Sequence, residues 1–259
     1  MLKDRIPRRR PKAKNPRHRG PRRALRWSIR WPLVLALLPL VLAGAGTYAA
    51  LRSPFFAVES VTVEGAHSLD QAALVQVSGL YGRNMVTLPE ADAERRLLAI
   101  PAVRAVDIRR EWPDRIVIAV QERVPVALWS VAGHDFPVDE EGVVLGGGVP
   151  DGSAPRIVEA TPGRTLAPGD RVHPDAIAFA RRISAESPRF LEANVAELAY
   201  EAGIGVTVIF EGGMRVTFGD DRSYEYKIAV LSELLLDLSN QGIHPSAVDL
   251  RFGERVTYE

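Results

Sequence analysis

The chain has 259 residues, 46% of them hydrophobic, enough for packed cores in one large domain or two small ones. It contains no cysteine, which excludes a disulfide framework, thiol catalysis and any cysteine-based metal site. The net charge of +1 hides a segregation: residues 1–30 carry 13 Lys or Arg and one Asp, the rest 20 basic against 31 acidic residues, so the body does not bind nucleic acid through bulk charge.

Residues 1–30, basic and with several prolines, are predicted to be a disordered cytoplasmic tail. Trp31 to Leu51 is a run of 21 residues without a charge. At about 1.5 Å per residue it crosses a hydrocarbon core of about 30 Å. Trp27 and Trp31 stand where an aromatic belt forms, and Tyr48 lies near the far end. Basic residues precede the run and only Arg52 closely follows it, which places the N-terminus inside and residues 53–259 outside. A cleaved signal peptide ending near Ala43-Gly44-Ala45, or a twin-arginine signal at Arg22-Arg23, is the rival. The run exceeds the roughly 7–15 apolar residues of such peptides, which favours an uncleaved anchor.

Val58 to Glu64 alternates as a strand and stops at Gly65. Ser68 and Gln71 form a capping box for a helix ending before Gly79. A second helix is predicted over Glu90–Ala99, with Ala93, Leu97 and Ile100 at helical spacing and Pro101 beyond. Val103–Glu111 and Arg115–Glu122 are strands joined by the turn Trp112-Pro113-Asp114. Two helices on one face of three strands would bury both apolar stripes; the unit is expected over 54–123.

Residues 124–259 form the second expected unit. Val126–Val131, Phe136–Val138 and Val143–Leu145 are short strands, and Gly146 to Gly152 is a loop. A helix over Asp175–Glu186 opens with Pro174. Strands follow at Val195–Tyr200, Gly205–Phe210 and Met214–Gly219, the last two a hairpin through Glu211-Gly-Gly213. Tyr224–Asn240 is the strongest helix pattern, with Ile228, Leu231, Leu235 and Leu238 on one face. A final strand is predicted over Ala247–Phe252.

Catalytic signals are lacking. The five histidines have no metal-ligand spacing, and no G-x-S-x-G occurs. Gly146-Gly147-Gly148 lacks the Lys-Ser/Thr of a phosphate loop. Paired carboxylates can hydrolyse glycans, which keeps a membrane-anchored wall hydrolase as one reading. Asp139-Glu140-Glu141 and Asp220-Asp221, however, read as solvated turns. No cofactor is expected, and a scaffold fits better than a catalyst.

The run Ser53-Pro-Phe-Phe-Ala-Val-Glu-Ser-Val-Thr-Val-Glu-Gly65, just beyond a single span, resembles the start of a POTRA domain. Val106-Asp-Ile-Arg-Arg-Glu-Trp-Pro-Asp114, Glu122-Arg-Val-Pro-Val-Ala-Leu-Trp129 and Val248-Asp-Leu-Arg-Phe252 resemble the FtsQ/DivIB family of bacterial division proteins. The resemblance implies an α+β fold: a single transmembrane helix (31–51), a POTRA domain in β-α-α-β-β order (54–123), and a mixed α/β domain with an antiparallel sheet (124–259). It implies a non-enzymatic divisome scaffold in the inner membrane, concentrated at the septum. Its partners would be FtsB-like and FtsL-like proteins, and through them the septal peptidoglycan synthase complex. The terminal strand would be a sheet edge open to β-augmentation. Phe252 and Arg251 match the family's interface aromatic and its basic neighbour, flanked by Val248, Asp249 and Glu254. Two departures stand out. Only Gly253 to Glu259 follow Phe252, which reduces any longer terminal interface to those residues, and no Arg lies in Val195–Tyr200, where family members often have one. A helper of protein export or outer-membrane assembly is the alternative. Such proteins usually carry several POTRA units or a barrel, neither of which is visible.

Overall fold

A computed structural model describes the backbone of residues 31–161, 163–220, 222–252 and 256–259, with side chains from 37 to 49 and from 52 onward along that backbone. The basic tail therefore lies outside the described residues. Trp31–Leu51 is one helix, α1, with Pro39 inside it. Among the described residues no helix is long and apolar enough to cross a membrane.

Residues 51–259 form one compact unit with two hydrophobic cores. The chain enters through a 3-10 turn, Pro54–Phe56, and β1, Ser60–Glu64. Helices α2 (Gln71–Ser78) and α3 (Glu90–Leu98) follow, then strands β2 (Val103–Glu111) and β3 (Arg115–Glu122). The sheet order is β1-β3-β2. β1 runs parallel to β3, and β2 antiparallel to it. A parallel pair needs a crossover, which the two helices supply. Ile116, Ile118 and Val120 of the central strand pack with Leu74, Ala93 and Leu97 of the helices.

The expected capping box is corrected here. Asp70, not Ser68, caps α2, its carboxylate accepting from the Ala72 N–H at 2.9 Å. Ser68 is engaged instead by Glu122 at the end of β3. That carboxylate accepts from the N–H groups of His67 (2.7 Å), Ser68 (3.1 Å) and Leu69 (3.0 Å), and from the Ser68 hydroxyl (2.5 Å). One residue from a distant strand thus satisfies the three backbone donors that precede the cap.

The second sheet contains β4 (Ala127–Val131), β5 (His134–Val138) and β6 (Arg156–Glu159). After α4 (Pro174–Phe190) come β7 (Val195–Glu201), β8 (Gly205–Phe210) and β9 (Arg215–Gly219). Helix α5 (Tyr224–Asn240), β10 (Ala247–Asp249) and β11 (Thr257–Tyr258) complete it. Eight strands line up as β11-β10-β9-β8-β7-β6-β4-β5. The expected antiparallel sheet is in fact mixed, because β4–β6, β6–β7 and β9–β10 pair parallel. Those parallel contacts follow from β6, a strand absent from the sequence reading, and from α5, which carries the chain back to start β10 alongside β9. Residues 143–145, expected as a strand, make only isolated bridges, Val138 to Val144 and Val143 to Arg171. Trp129, Ile157, Leu198, Val208, Val216 and Val248 from the sheet join Phe179, Ile183 and Leu231 from α4 and α5 in one core.

The two sheets are joined by charge. Arg123, just past β3, pairs with Asp139 and with Glu141 at 2.8 Å, its side chain 11% exposed and that of Asp139 4%. Arg104 of β2 pairs with Glu140 at 2.6 Å and Glu141 at 2.8 Å. The acidic turn read as solvated is therefore a joint, in which Asp139 is buried while Glu140 and Glu141 stay partly exposed.

Candidate partner-binding edge

The end of the eight-stranded sheet carries the residues singled out in the sequence, but in a different arrangement. The strand over 247–252 was expected to be the edge. It ends at Asp249, and β11 covers it. Val248 stands opposite Val216 of β9 on one side and Tyr258 of β11 on the other. Its side chain is buried in the core, so Val248 offers a partner neither side chain nor ladder. The outermost strand is built from the last residues: Ser246 N–H donates to the Glu259 carbonyl at 2.7 Å, and Glu259 N–H to that of Ala247 at 3.0 Å. The run Val256-Thr257-Tyr258 was the available signal, since β-branched and aromatic residues after a turn favour a short strand.

Beyond β10 the alternation breaks. Leu250 is buried, whereas Phe252 is 63% exposed. Arg251 sets that turn. Its N–H donates to Asp249 Oδ1 at 2.9 Å, and its guanidinium takes both carboxylate oxygens. The guanidinium carbon lies 5.0 Å from the centroid of the Phe252 ring, within cation–π range. Burial raises the Asp249 carboxyl, but the bonds from Arg251 outweigh it and hold the group below its ordinary range. Glu254 lies outside the described residues.

Arg251 and Phe252 also line a cleft of about 480 Å³ with His173, Tyr200, Gly205 and Lys227. Lys227 is not a free cation there. Its ammonium donates to the carbonyls of Phe218 (2.8 Å) and Asp220 (2.9 Å) and to Asp220 Oδ1 (3.1 Å), which uses all three of its protons and ties the start of α5 to the end of β9. The Asp220 carboxyl is held down by Arg222 first, then by Lys227, against the opposing effect of burial. Among the described residues no cluster of side chains is arranged to hold a metal. Strand β7, which has no arginine where family members often carry one, pairs on both sides within the sheet and leaves Glu197 exposed.

The geometry defines a class: a small helix-covered sheet leading into a larger mixed sheet that ends, among the described residues, at β11, with the exposed Phe252 ring and the half-buried Arg251 following β10. The sequence profile of the POTRA domain, FtsQ-type, matches residues 56–123, and that of the cell division protein FtsQ/DivIB C-terminal region matches residues 127–251. Among relatives, the cell division protein FtsQ of Chloroflexus aggregans is 30% identical over 203 residues, covering 78% of this chain and 73% of the relative. Its counterpart from Chloroflexus aurantiacus is 27% identical over 219 residues, covering 84% and 80%. The FtsQ of Streptomyces bingchenggensis is 34% identical over 127 residues, 48% of each chain. The chain belongs to the FtsQ/DivIB family of bacterial cell-division proteins.

Proposed function

We propose that this protein is a membrane-anchored, non-enzymatic scaffold of the division machinery. It holds an FtsB-like and FtsL-like pair at the open edge of its C-terminal sheet and so bears on septal peptidoglycan synthesis. The observation that carries this reading is the edge itself. No strand pairs beyond β11 among the described residues, so its outer backbone groups are free to accept a partner strand. Phe252 stands beside it, 63% exposed, and Arg251 next to it is the other residue type enriched in binding hot spots.

The anchor belongs to the same proposal. Trp31 to Leu51 is uncharged and follows a strongly basic tail, which favours a single pass with the N-terminus inside and residues 53–259 outside. The matched profiles support separate domains over 54–123 and 124–259. Family membership favours division over the export-helper reading.

The test is a titration of the full chain in detergent with the extracytoplasmic segment of the FtsB-like protein from the same cell. Phe252→Glu should abolish binding without unfolding the protein, because an exposed ring contributes nothing to the core. A folded Phe252→Glu chain that binds like the unaltered protein would overturn the reading.

A further inference from the structure

Residues 54–123 contain four aromatic side chains: Phe55, Phe56, Tyr81 and Trp112. The core of this part is aliphatic, built from Leu, Ile, Val, Ala and Met, with Phe56 only partly buried at its margin. Phe55, Tyr81 and Trp112 are 66%, 68% and 57% exposed.

All four lie at one end of the small sheet. Glu59 N–H donates to the Asp114 carbonyl at 2.9 Å, which sets the Trp112-Pro113-Asp114 turn beside the start of β1. Gly82 N–H donates to the Val58 carbonyl at 3.0 Å, and Val58 N–H to that of Arg83 at 2.8 Å, which brings the Tyr81 loop to the same place. Three of the rings form a chain: Phe55 packs edge-on against Phe56 with centroids 5.2 Å apart, and Phe56 against Trp112 at 5.9 Å. A monomer gains nothing by holding three large rings in water, and a contiguous exposed apolar patch marks an interaction surface.

The covalent chain says which surface. The uncharged run ends at Leu51, and Phe55 is four residues further on. Even fully extended, four residues reach only about 14 Å. A protein that crosses the membrane at 31–51 must keep this end of the sheet near the headgroups. Trp and Tyr are the residues that concentrate there, and an exposed Phe beside them adds apolar depth. The charges next to these residues in the chain nearly balance, Arg83 and Arg115 against Glu59, Glu111 and Asp114, and Arg115 lies 3.7 Å from Glu111. Anionic lipid is therefore not needed, and insertion of the rings dominates.

We infer that Phe55, Tyr81 and Trp112 form an interfacial foot that docks the first sheet on the outer surface of the membrane and fixes its tilt. This rests on the anchored reading proposed above. With the foot in place, the partner-binding edge is held at a set height above the bilayer rather than swinging on a tether.

The test uses the full chain reconstituted in phosphatidylcholine vesicles, with Trp27 and Trp31 changed to Phe. Two indoles remain, Trp112 and the fully buried Trp129, and a parallel Trp112→Phe sample isolates the signal of Trp112. Lipids with a nitroxide close to the headgroup should remove most of the Trp112 emission. Labels near the acyl-chain end should remove much less, and Phe55→Ser should weaken the quenching with Trp112 intact. Salt should leave it unchanged. Protein that resists carbonate extraction while Trp112 is no more quenched than Trp129 overturns the foot, leaves the anchor standing, and assigns the patch to a protein partner. Release of the protein by carbonate overturns anchor and foot together.

Discussion

Arg251 grips the carboxylate of Asp249, two residues behind it, with Nε at 3.0 Å and Nη2 at 2.6 Å from Oδ2. The two residues close a tight turn at the point where β10 ends, and that turn sends Phe252 outward instead of continuing the buried alternation of Val248 and Leu250. Asp249→Ala should therefore weaken partner binding although both proposed contact side chains remain. Calorimetric titration should show an affinity loss smaller than that of Phe252→Glu. The Asp249 carboxyl is held below its ordinary range, so its charge is kept at every pH above the usual carboxylate value of about 4. The turn persists there and is lost only as pH falls through the lowered value. Affinity should be flat between neutrality and mildly acidic pH.

The last residues give a second prediction. Thr257 and Tyr258 form the outermost strand, opposite Asp249 and Val248. Removing residues 256–259 strips that strand but leaves β10 paired with β9 through Leu250 N–H to the Thr217 carbonyl at 2.9 Å. The truncated chain should stay folded. Its affinity for the FtsB-like segment should fall by roughly tenfold, the equivalent of about 1.4 kcal/mol, because the docking ladder is lost. Circular dichroism and a binding isotherm on the same sample separate the two effects.

Strands β2 and β3 and helix α5 were legible in the sequence because they are long enough for their apolar residues to repeat, as in Ile116, Ile118 and Val120. Strand β6 was not. It has four residues and ends in Glu159, a charged group at the heart of a sheet. Only the fold reveals how that is tolerated: the carboxylate accepts the Trp129 Nε1–H at 2.7 Å and takes Arg164 at 2.8 Å. The acidic turn at 139–141 misled in the same way, since its arginine partners are at least 16 residues away in sequence. Arg251 and Phe252 stand out in the sequence only through the resemblance to the family pattern. The strand covering their own β10 was hidden because a two-residue strand has no periodicity to detect.

The ionic joint between the sheets should behave as a structural lock. Arg123 is nearly buried against an equally buried Asp139, whose other oxygen accepts from the N–H groups of Glu141 at 3.0 Å and Val143 at 2.7 Å. Arg123→Ala leaves that carboxylate without its cation. Breaking one side of such a pair costs about 3 kcal/mol. Urea denaturation should show the loss, with the transition splitting in two as the sheets cease to unfold together. Small-angle scattering should report a broader distribution of their separation. A variant with a single unchanged transition would show that Arg123 is not what couples them and that the Arg104 pairs with Glu140 and Glu141 suffice.

Glu122 offers the sharpest test of how the first sheet is held. Its carboxylate gathers the three successive N–H groups of His67, Ser68 and Leu69, and the Ser68 hydroxyl. Burial raises this carboxyl, but the Ser68 hydroxyl and the three backbone donors together outweigh it and leave the group below its ordinary value. A lowered folded-state value means that the stabilisation is fully present above the unfolded-state value of about 4.3. It is lost as pH falls through the lower folded value. Glu122→Gln keeps the shape but removes the charge and one acceptor. At neutral pH it should cost about 2 kcal/mol, the scale of hydrogen bonds to an ionised group. As pH falls through the lowered folded-state value the unaltered protein loses the same contribution, so the gap between the two should close. Urea midpoints measured for both chains from neutral to acidic pH give the comparison. A gap that persists unchanged in acid would mean that Glu122 acts through packing and not through its charge.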